Sequence, residues 1–168
     1  AALDLAEIVG PNGRVVAVAG FRLDDYSRAG TEFNPKGGIR LRATDTTILR
    51  ASIGRGYKAP QLSDRFIAFD HGFAILAGNP DLEPETGVGW QVGGEQRFGD
   101  WMVVGVNYFR NEVENLIEFN RFLGGVVIPG RGFVPILGSR NITHAWTQGV
   151  EASLSATFSD EWSAGASY

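Results

Sequence analysis

Between Asn120 and Asn141 the chain carries Arg121, Arg131 and Arg140 and not one acid, with Phe122 and Phe133 in the same stretch. Guanidinium groups give charge-assisted hydrogen bonds to anionic oxygens, and aromatic rings stack. Together they suit an anionic, aromatic, metal-loaded small-molecule chelate. They also suit the phosphates of lipopolysaccharide, and an ordinary solvated loop is the plain alternative. A second group lies in 58–86, where Phe66, Phe69, His71 and Phe73 are interleaved with Asp64, Asp70, Asp81, Glu83 and Glu85. Phe69 and His71 join the ligand-contact candidates. The acids lack the spacing of a calcium loop, so no metal site is expected.

Other chemistries are poorly provided for. The absence of cysteine removes disulfides, thiol catalysis and zinc-thiolate sites. His71 and His144 are the two histidines, and no G-x-S-x-G, phosphate-loop or zinc spacing occurs. The chain is therefore not expected to be an enzyme or to hold a cofactor of its own. A net charge of -4 is a poor footprint for nucleic acid. No run approaches the roughly 18 apolar residues of a membrane helix. A membrane β-barrel stays open, because its strands bury only alternate residues.

The elements that must position these groups have a period of two. Val150, Ala152, Leu154, Ala156 and Phe158 share one parity, against Glu151, Ser153, Ser155 and Thr157. The same alternation runs through 15–24, 38–44, 49–54, 87–97 and 162–168. Short turn signals at 10–13, 44–47, 99–100 and 159–161 alternate with long ones at about 26–34, 58–86 and 118–141. That predicts eight antiparallel strands in an up-and-down meander, short turns on one rim and long loops on the other. Ten residues at about 3.3 Å each, tilted near 45°, rise roughly 23 Å, close to the apolar band of a transmembrane barrel. Phe98, Trp101, Phe158 and Trp162 flank the short turns, where an interfacial girdle would lie.

A soluble β-sandwich also alternates. Against it, Arg22, Arg40, Arg42, Arg50, Arg97 and Glu151 are confined to the polar parity. A charge facing lipid near the midplane costs about 2–4 kcal/mol, so this segregation fits lumen against lipid. Arg55 breaks the rule: either it lies above the membrane, or a bulge at Gly54 or Gly56 re-aims it. The stretch 101–109 is apolar on both parities except at Gly105 and Asn107, so alternation does not orient it. Residues 1–10 lack the basic and apolar regions of a signal peptide, and the chain stops inside an alternating segment, so a piece of a longer protein is expected.

Two segments are more specific than periodicity: LRASIGRGYKAPQLSDRF at 49–66 and GNPDLEPE at 78–85. Together they resemble TonB-dependent outer-membrane receptors. AGFRLDDYS at 19–27, NYFRNEVENLI at 107–117 and NITHAWTQGVEASL at 141–154 are similar to further segments of that family in the same order. The resemblance implies that residues 1–168 are a partial barrel domain, about eight strands of a 22-stranded transmembrane β-barrel, with the plug domain and terminal strands lying elsewhere. It implies the outer membrane of a Gram-negative bacterium, contact with its lipid and lipopolysaccharide, and energy-coupled uptake of a ferric siderophore, haem or cobalamin. The TonB-ExbB-ExbD complex would act through the plug and its TonB box. It also implies structural roles for Tyr57, Lys58, Ala59 and Pro60, for Gly78, Asn79, Pro80, Leu82, Pro84 and Glu85, and for Gly149, Val150 and Glu151. Pro60 and Pro80 end strand pairing, and Pro84 holds Glu83 extended. Glu151 would pair with a strand arginine or meet the plug. A small eight-stranded barrel with a structural or adhesive role is the competing reading.

Overall fold

The computed structural model describes residues 2–26 and 30–168. Among the described residues the chain is all-β apart from a 3-10 turn at Pro11–Gly13 and one short α-helix. Its strands are β1 (Ala2–Val9), β2 (Val15–Tyr26), β3 (Gly30–Arg42), β4 (Thr47–Lys58), β5 (Ala68–Asp70), β6 (Ile75–Ala77), β7 (Glu85–Phe98), β8 (Met102–Ile128), β9 (Gly132–Thr157) and β10 (Ser163–Ser167), and α1 is Leu62–Phe66. The eight expected meander strands are present. β5 and β6 are additional short strands within 58–86. No helix among the described residues is long and apolar enough to cross a membrane.

The chain divides into two compact units. The first comprises 1–56, 88–112 and 146–168, and the second 57–87 and 113–145. In the first, neighbouring strands follow the order β1-β2-β3-β4-β7-β8-β9-β10. Cross-strand registers show which residues share a face. Val15, Ala17 and Ala19 lie opposite Leu41, Ile39 and Gly37, and these last three lie opposite Leu49, Ala51 and Ile53. On the other face Val16, Arg40 and Arg50 are in line, as are Val18, Gly38 and Ser52. Leu154 and Ala156 pair with Ala166 and Ala164, while Ser153 and Ser155 pair with Ser167 and Gly165. One face is apolar and the other polar, as the alternation predicts.

The apolar face has no second layer over it. Ile39, Ile53, Val92, Val106 and Val150 are all exposed, and Ala156 is the buried apolar residue of this unit among those described. A single sheet with one apolar face uncovered is not stable by itself in water, so that face calls for an apolar covering, whether lipid or protein. Spin labels at Leu154 and Ser155 of the full-length protein in vesicles test this. We expect the first to be relaxed by oxygen and the second by a water-soluble nickel chelate; identical accessibility at both sites would refute the two-faced sheet.

The neighbours of 101–109 now orient it. Asn107 donates to Gln91 and Glu151, and a Cβ on Gly105 would press on the Ser153 hydroxyl, so odd residues face the polar side. Tyr108 meets Trp90, so even residues face the apolar side. Arg55 is held by Glu32 at 3.7 Å and by the Phe33 carbonyl at 3.2 Å. Glu32 lies opposite Asp24 on the polar parity, and the β3–β4 register stops at Gly54. The chain therefore departs from regular pairing just before Arg55.

The second unit has a core. Tyr57, Ala74, Leu82, Ile117 and Val134 are buried there. Three expected loops need correction. The stretch 118–141 is no open loop: β8 runs to Ile128 and β9 starts at Gly132, leaving a tight turn. Asn115 and Asn120 have φ of 55° and 56° inside β8. Such left-handed residues bulge a strand and shift its parity, which erased the period-two signal. At 26–34, β3 already begins at Gly30; the rest of that loop, at 27–29, lies outside the described residues. At 58–86 the segment is not an irregular loop throughout: it holds α1, and 68–70 and 75–77 form β5 and β6. β5 and β6 form an antiparallel pair, and β6 adds in parallel to β9, with Ile75 opposite Ile136 and Ala77 opposite Gly138. That parallel pairing is the one departure from an antiparallel meander among the described registers.

Candidate functional site

The base of the 58–86 segment is a hydrogen-bonded knot within the second unit. Lys58 Nζ lies 3.1 and 3.2 Å from the two carboxylate oxygens of Glu85, which is 8% exposed. Glu85 also accepts the Ile117 N–H at 3.0 Å, so one carboxylate ties the ends of β4 and β7 to β8. Tyr57 is buried beside Lys58 in sequence, and Ala59 and Pro60 lead to α1, where Asp64 accepts the Gln61 N–H at 3.3 Å. Gly78 donates to the Ile67 carbonyl at 2.6 Å, and Asn79 donates its N–H to the Asp64 carbonyl at 2.9 Å. The Asn79 side chain accepts the Asp81 N–H at 3.0 Å and donates to the Ser139 carbonyl at 3.3 Å. Arg65 donates twice to the Pro80 carbonyl, and Leu82 inserts into the core.

The ligand-contact candidates lie farther out on the same unit. Arg131 grips Asp70 with two nitrogens at 2.7 and 2.9 Å and also donates to the Gly72 carbonyl. Asp70 separates Phe69 from His71, whose rings meet edge-on at 4.5 Å, and Phe73 tilts against His71 at 5.9 Å. Arg131, Phe69 and His71 are thus brought together. Arg121 pairs instead with Glu118 at 3.2 Å. Phe122 and Phe133 are exposed, and the Phe133 ring lies over Gly125, where a Cβ would collide with it. Arg140 is exposed and has no ion-pair partner among the described residues. The arginines expected to act as one group therefore divide: two are engaged with carboxylates and one is open.

The Arg131 guanidinium and the Gly72 N–H lower the Asp70 pKa to about 2, below its ordinary 3.8. The clip is therefore at full strength above the usual carboxylate range near pH 4, and weakens as the pH falls toward 2. Labels at Phe73 and Val127 should give a narrow distance distribution at neutral pH that broadens below about pH 3. Arg131→Gln should be broad at every pH. A distribution independent of pH and of Arg131 would refute the clip.

On the polar face of the first unit, a groove of about 580 Å³ is lined by Arg50, Gln91, Glu95, Asn107, Glu151 and Ser153, among others. Arg50 binds Glu95 at 2.5 Å. Glu151 accepts from Asn107 at 3.3 Å, so its partner is an amide and not the strand arginine expected. Gly149 leaves room for the Phe109 ring, 3.0 Å from where its Cβ would be, while Val150 points to the apolar face and is exposed. Among the described residues no cluster of three or more acids, histidines or cysteines could hold a metal ion.

One residue was underread from sequence. Asn141 marks only the start of a strand-return segment there, yet its side chain fastens Glu83 to Asn115. No spacing rule links these three positions. The one hint is an Asn opening a segment that must pass a left-handed residue.

The sequence model of the family described as TonB-dependent receptor-like, beta-barrel matches residues 4–168. The chain belongs to this family. Among curated relatives, the ferrienterobactin receptor of Escherichia coli is 30% identical over 86% of this chain and 20% of its own length. A vitamin B12 transporter of Vibrio vulnificus is 29% identical over 82% of this chain and 20% of its own. A crystal structure of a ferric enterobactin receptor variant from Pseudomonas aeruginosa, in complex with enterobactin, superposes with a TM-score of 0.76. It is 26% identical and covers 99% of this chain and 26% of that one. This TonB-dependent receptor chain spans about a fifth of the length of the curated relatives it matches. The all-β architecture and the family resemblance stated from the 49–66 and 78–85 motifs agree with these matches.

Proposed function

We propose that the chain is part of an outer-membrane receptor that takes up a ferric siderophore with energy supplied through TonB. The observation that carries this reading is the first unit's single sheet, apolar and uncovered on one face, polar and charge-bearing on the other. Lipid solvates the first face and a watery lumen the second. The short turns of the first unit then lie on the periplasmic side. The TonB-ExbB-ExbD complex would act on a plug encoded elsewhere in the longer protein. Siderophores are favoured over other cargo by the receptor names above, and by a second unit that offers exposed Phe69, Phe122 and Phe133 together with Arg140. Cobalamin is the second reading, because a vitamin B12 transporter is nearly as similar.

The test is binding of ferric siderophores and cyanocobalamin to the full-length protein. Arg140→Gln should weaken an anionic ferric chelate about tenfold, the value of one charge-assisted hydrogen bond. Arg131→Gln should also weaken it, by releasing the Phe69–Phe73 segment. Arg121→Gln should matter least, since Glu118 already holds that side chain. Unchanged affinity in all three variants would reject the site. Cyanocobalamin bound in preference to every ferric chelate would replace the siderophore reading with the second one.

A further inference from the structure

The segment that carries Phe69, His71 and Phe73 has little of its own to hold it. β5 pairs only with β6, over three residues, and stands last in the strand order after β9 and β6. Every residue from 66 to 73 is exposed, so no side chain of that stretch is anchored in the core. The turn after β5 is closed by a single backbone bond, from the His71 N–H to the Ala74 carbonyl at 2.9 Å. A short edge pairing of this kind is marginal by itself.

Asp70 supplies the fastening. Its Oδ2 accepts from Arg131 Nη1 at 2.7 Å. Its Oδ1 accepts from Arg131 Nη2 at 2.9 Å and from the Gly72 N–H at 2.8 Å. The same Nη2 donates to the Gly72 carbonyl. Gly72 has φ of 87°, a conformation that lets it turn both its N–H and its carbonyl to the ion pair. Arg131 stands on a closed turn, where its own N–H donates to the Ile128 carbonyl at 3.0 Å. Exposed ion pairs usually contribute little, but a two-pronged guanidinium–carboxylate pair is the exception. Both Asp70 oxygens are taken, and three of the five guanidinium hydrogens point back into the segment. The pair faces the chain, while the three rings stay open to solvent.

We infer that Asp70 is a positioning residue for cargo: through Arg131 it holds Phe69, His71 and Phe73 as one prearranged row beside the β8–β9 turn, and neither member of the pair touches the cargo. The inference rests on the receptor reading proposed above and adds to it a residue whose own charge would repel an anionic chelate. Rings held ready in place remove part of the ordering cost of binding. A direct contact has the opposite sign. Were Arg131 to bind the cargo itself, Asp70 would be its competitor, and removing Asp70 would tighten binding.

A double-mutant cycle on the full-length receptor tests this, with ferric enterobactin and cyanocobalamin as probes. Asp70→Asn, Arg131→Gln and the double variant should each weaken the bound probe by the same factor, about fivefold, because the two residues act as a unit. The loss should lie in the dissociation rate. Asp70→Glu keeps the charge and should bind closer to wild type than Asp70→Asn does. Spin labels at Phe73 and Val127 on the same variants should give a broad distance distribution for Asp70→Asn. Tighter or unchanged binding by Asp70→Asn, additive losses in the double variant, Asp70→Glu no better than Asp70→Asn, or a narrow distribution for Asp70→Asn would overturn the inference and leave the receptor reading standing. A wild type that binds neither probe would overturn the receptor reading and this inference with it. The full pattern seen on cyanocobalamin alone would change the cargo and uphold the role of Asp70.

Discussion

Gly78→Ala should destabilise the second unit by about 3 kcal/mol, the upper range for forcing atoms into a packed site. A Cβ at Gly78 would stand 2.5 Å from the Arg65 carbonyl carbon and 2.6 Å from both the Arg65 oxygen and the Phe66 nitrogen. These are backbone atoms at the end of α1 and cannot swing aside. Retreat would also break the 2.6 Å bond from Gly78 to Ile67 and the 2.9 Å bond from Asn79 to Asp64, which lock the GNP turn onto the helix. Gly37→Ala is the matched control. Its Cβ would meet only the Val18 carbonyl at 3.6 Å, ordinary contact, so a change within about 0.5 kcal/mol is expected. The two variants separate crowding from the general effect of adding a methyl to a strand. Unfolding midpoints of the full-length protein in detergent should fall for Gly78→Ala alone. Amide protection should drop across 62–82 while 88–98 keeps its own. Equal behaviour of the two variants would show that the close approach is not a real constraint.

How much of this was legible beforehand varies by unit, and the reason is physical. In the first unit each strand has one oily and one polar face, so alternation at 15–24, 49–54 and 150–158 transmits directly into register. The short turns carry their own Gly, Asn and Asp signals. In the second unit, strands are bulged at Asn115 and Asn120 and share a small core, so the polar and apolar residues of 113–145 obey no single period. A bulge costs one residue of parity, and two in succession hide a strand. The GNPDLEPE motif was visible as a motif, but its partners were not. Glu85 reaches Ile117 across β8, and Asn79 reaches Ser139 on β9. Neither distance in sequence is marked by any composition signal.

The arginines of 120–141 teach the same lesson about charge. A stretch without acids invites the reading of three free cations. Yet Asp70, far away in sequence, folds back onto Arg131 with bidentate geometry, and Glu118, just outside the stretch, takes Arg121. Free charge is a property of the fold and not of a segment. Arg140, on the stem of the hairpin, is the one of the three without an ion-pair partner among the described residues.

Asn141→Leu carries the second large expectation, a loss of about 1–2 kcal/mol from removing three hydrogen bonds, one of them to a part-buried backbone carbonyl. Asn141 Oδ1 accepts the Glu83 N–H at 2.9 Å, while its Nδ2 donates to the Glu83 carbonyl at 2.9 Å and the Asn115 carbonyl at 2.7 Å. Two carbonyls and one N–H as partners leave a single sensible orientation for the amide, so the assignment of its oxygen and nitrogen is fixed by chemistry. The Asn115 carbonyl is available because that residue is left-handed, with φ at 55°, and has stepped out of the ladder. Asn141 thus makes the β8 bulge and the PE end of the motif into one joint. Asn141→Asp sharpens the test. Its carboxylate can still accept from Glu83 but confronts two carbonyl oxygens that need a donor, so it should be at least as damaging as leucine, although it is closer in shape. Unfolding midpoints and amide protection at 83–85 and 113–117 of the full-length protein would show both effects. If the aspartate variant matched the wild type, the joint would not be held by those two donated hydrogen bonds.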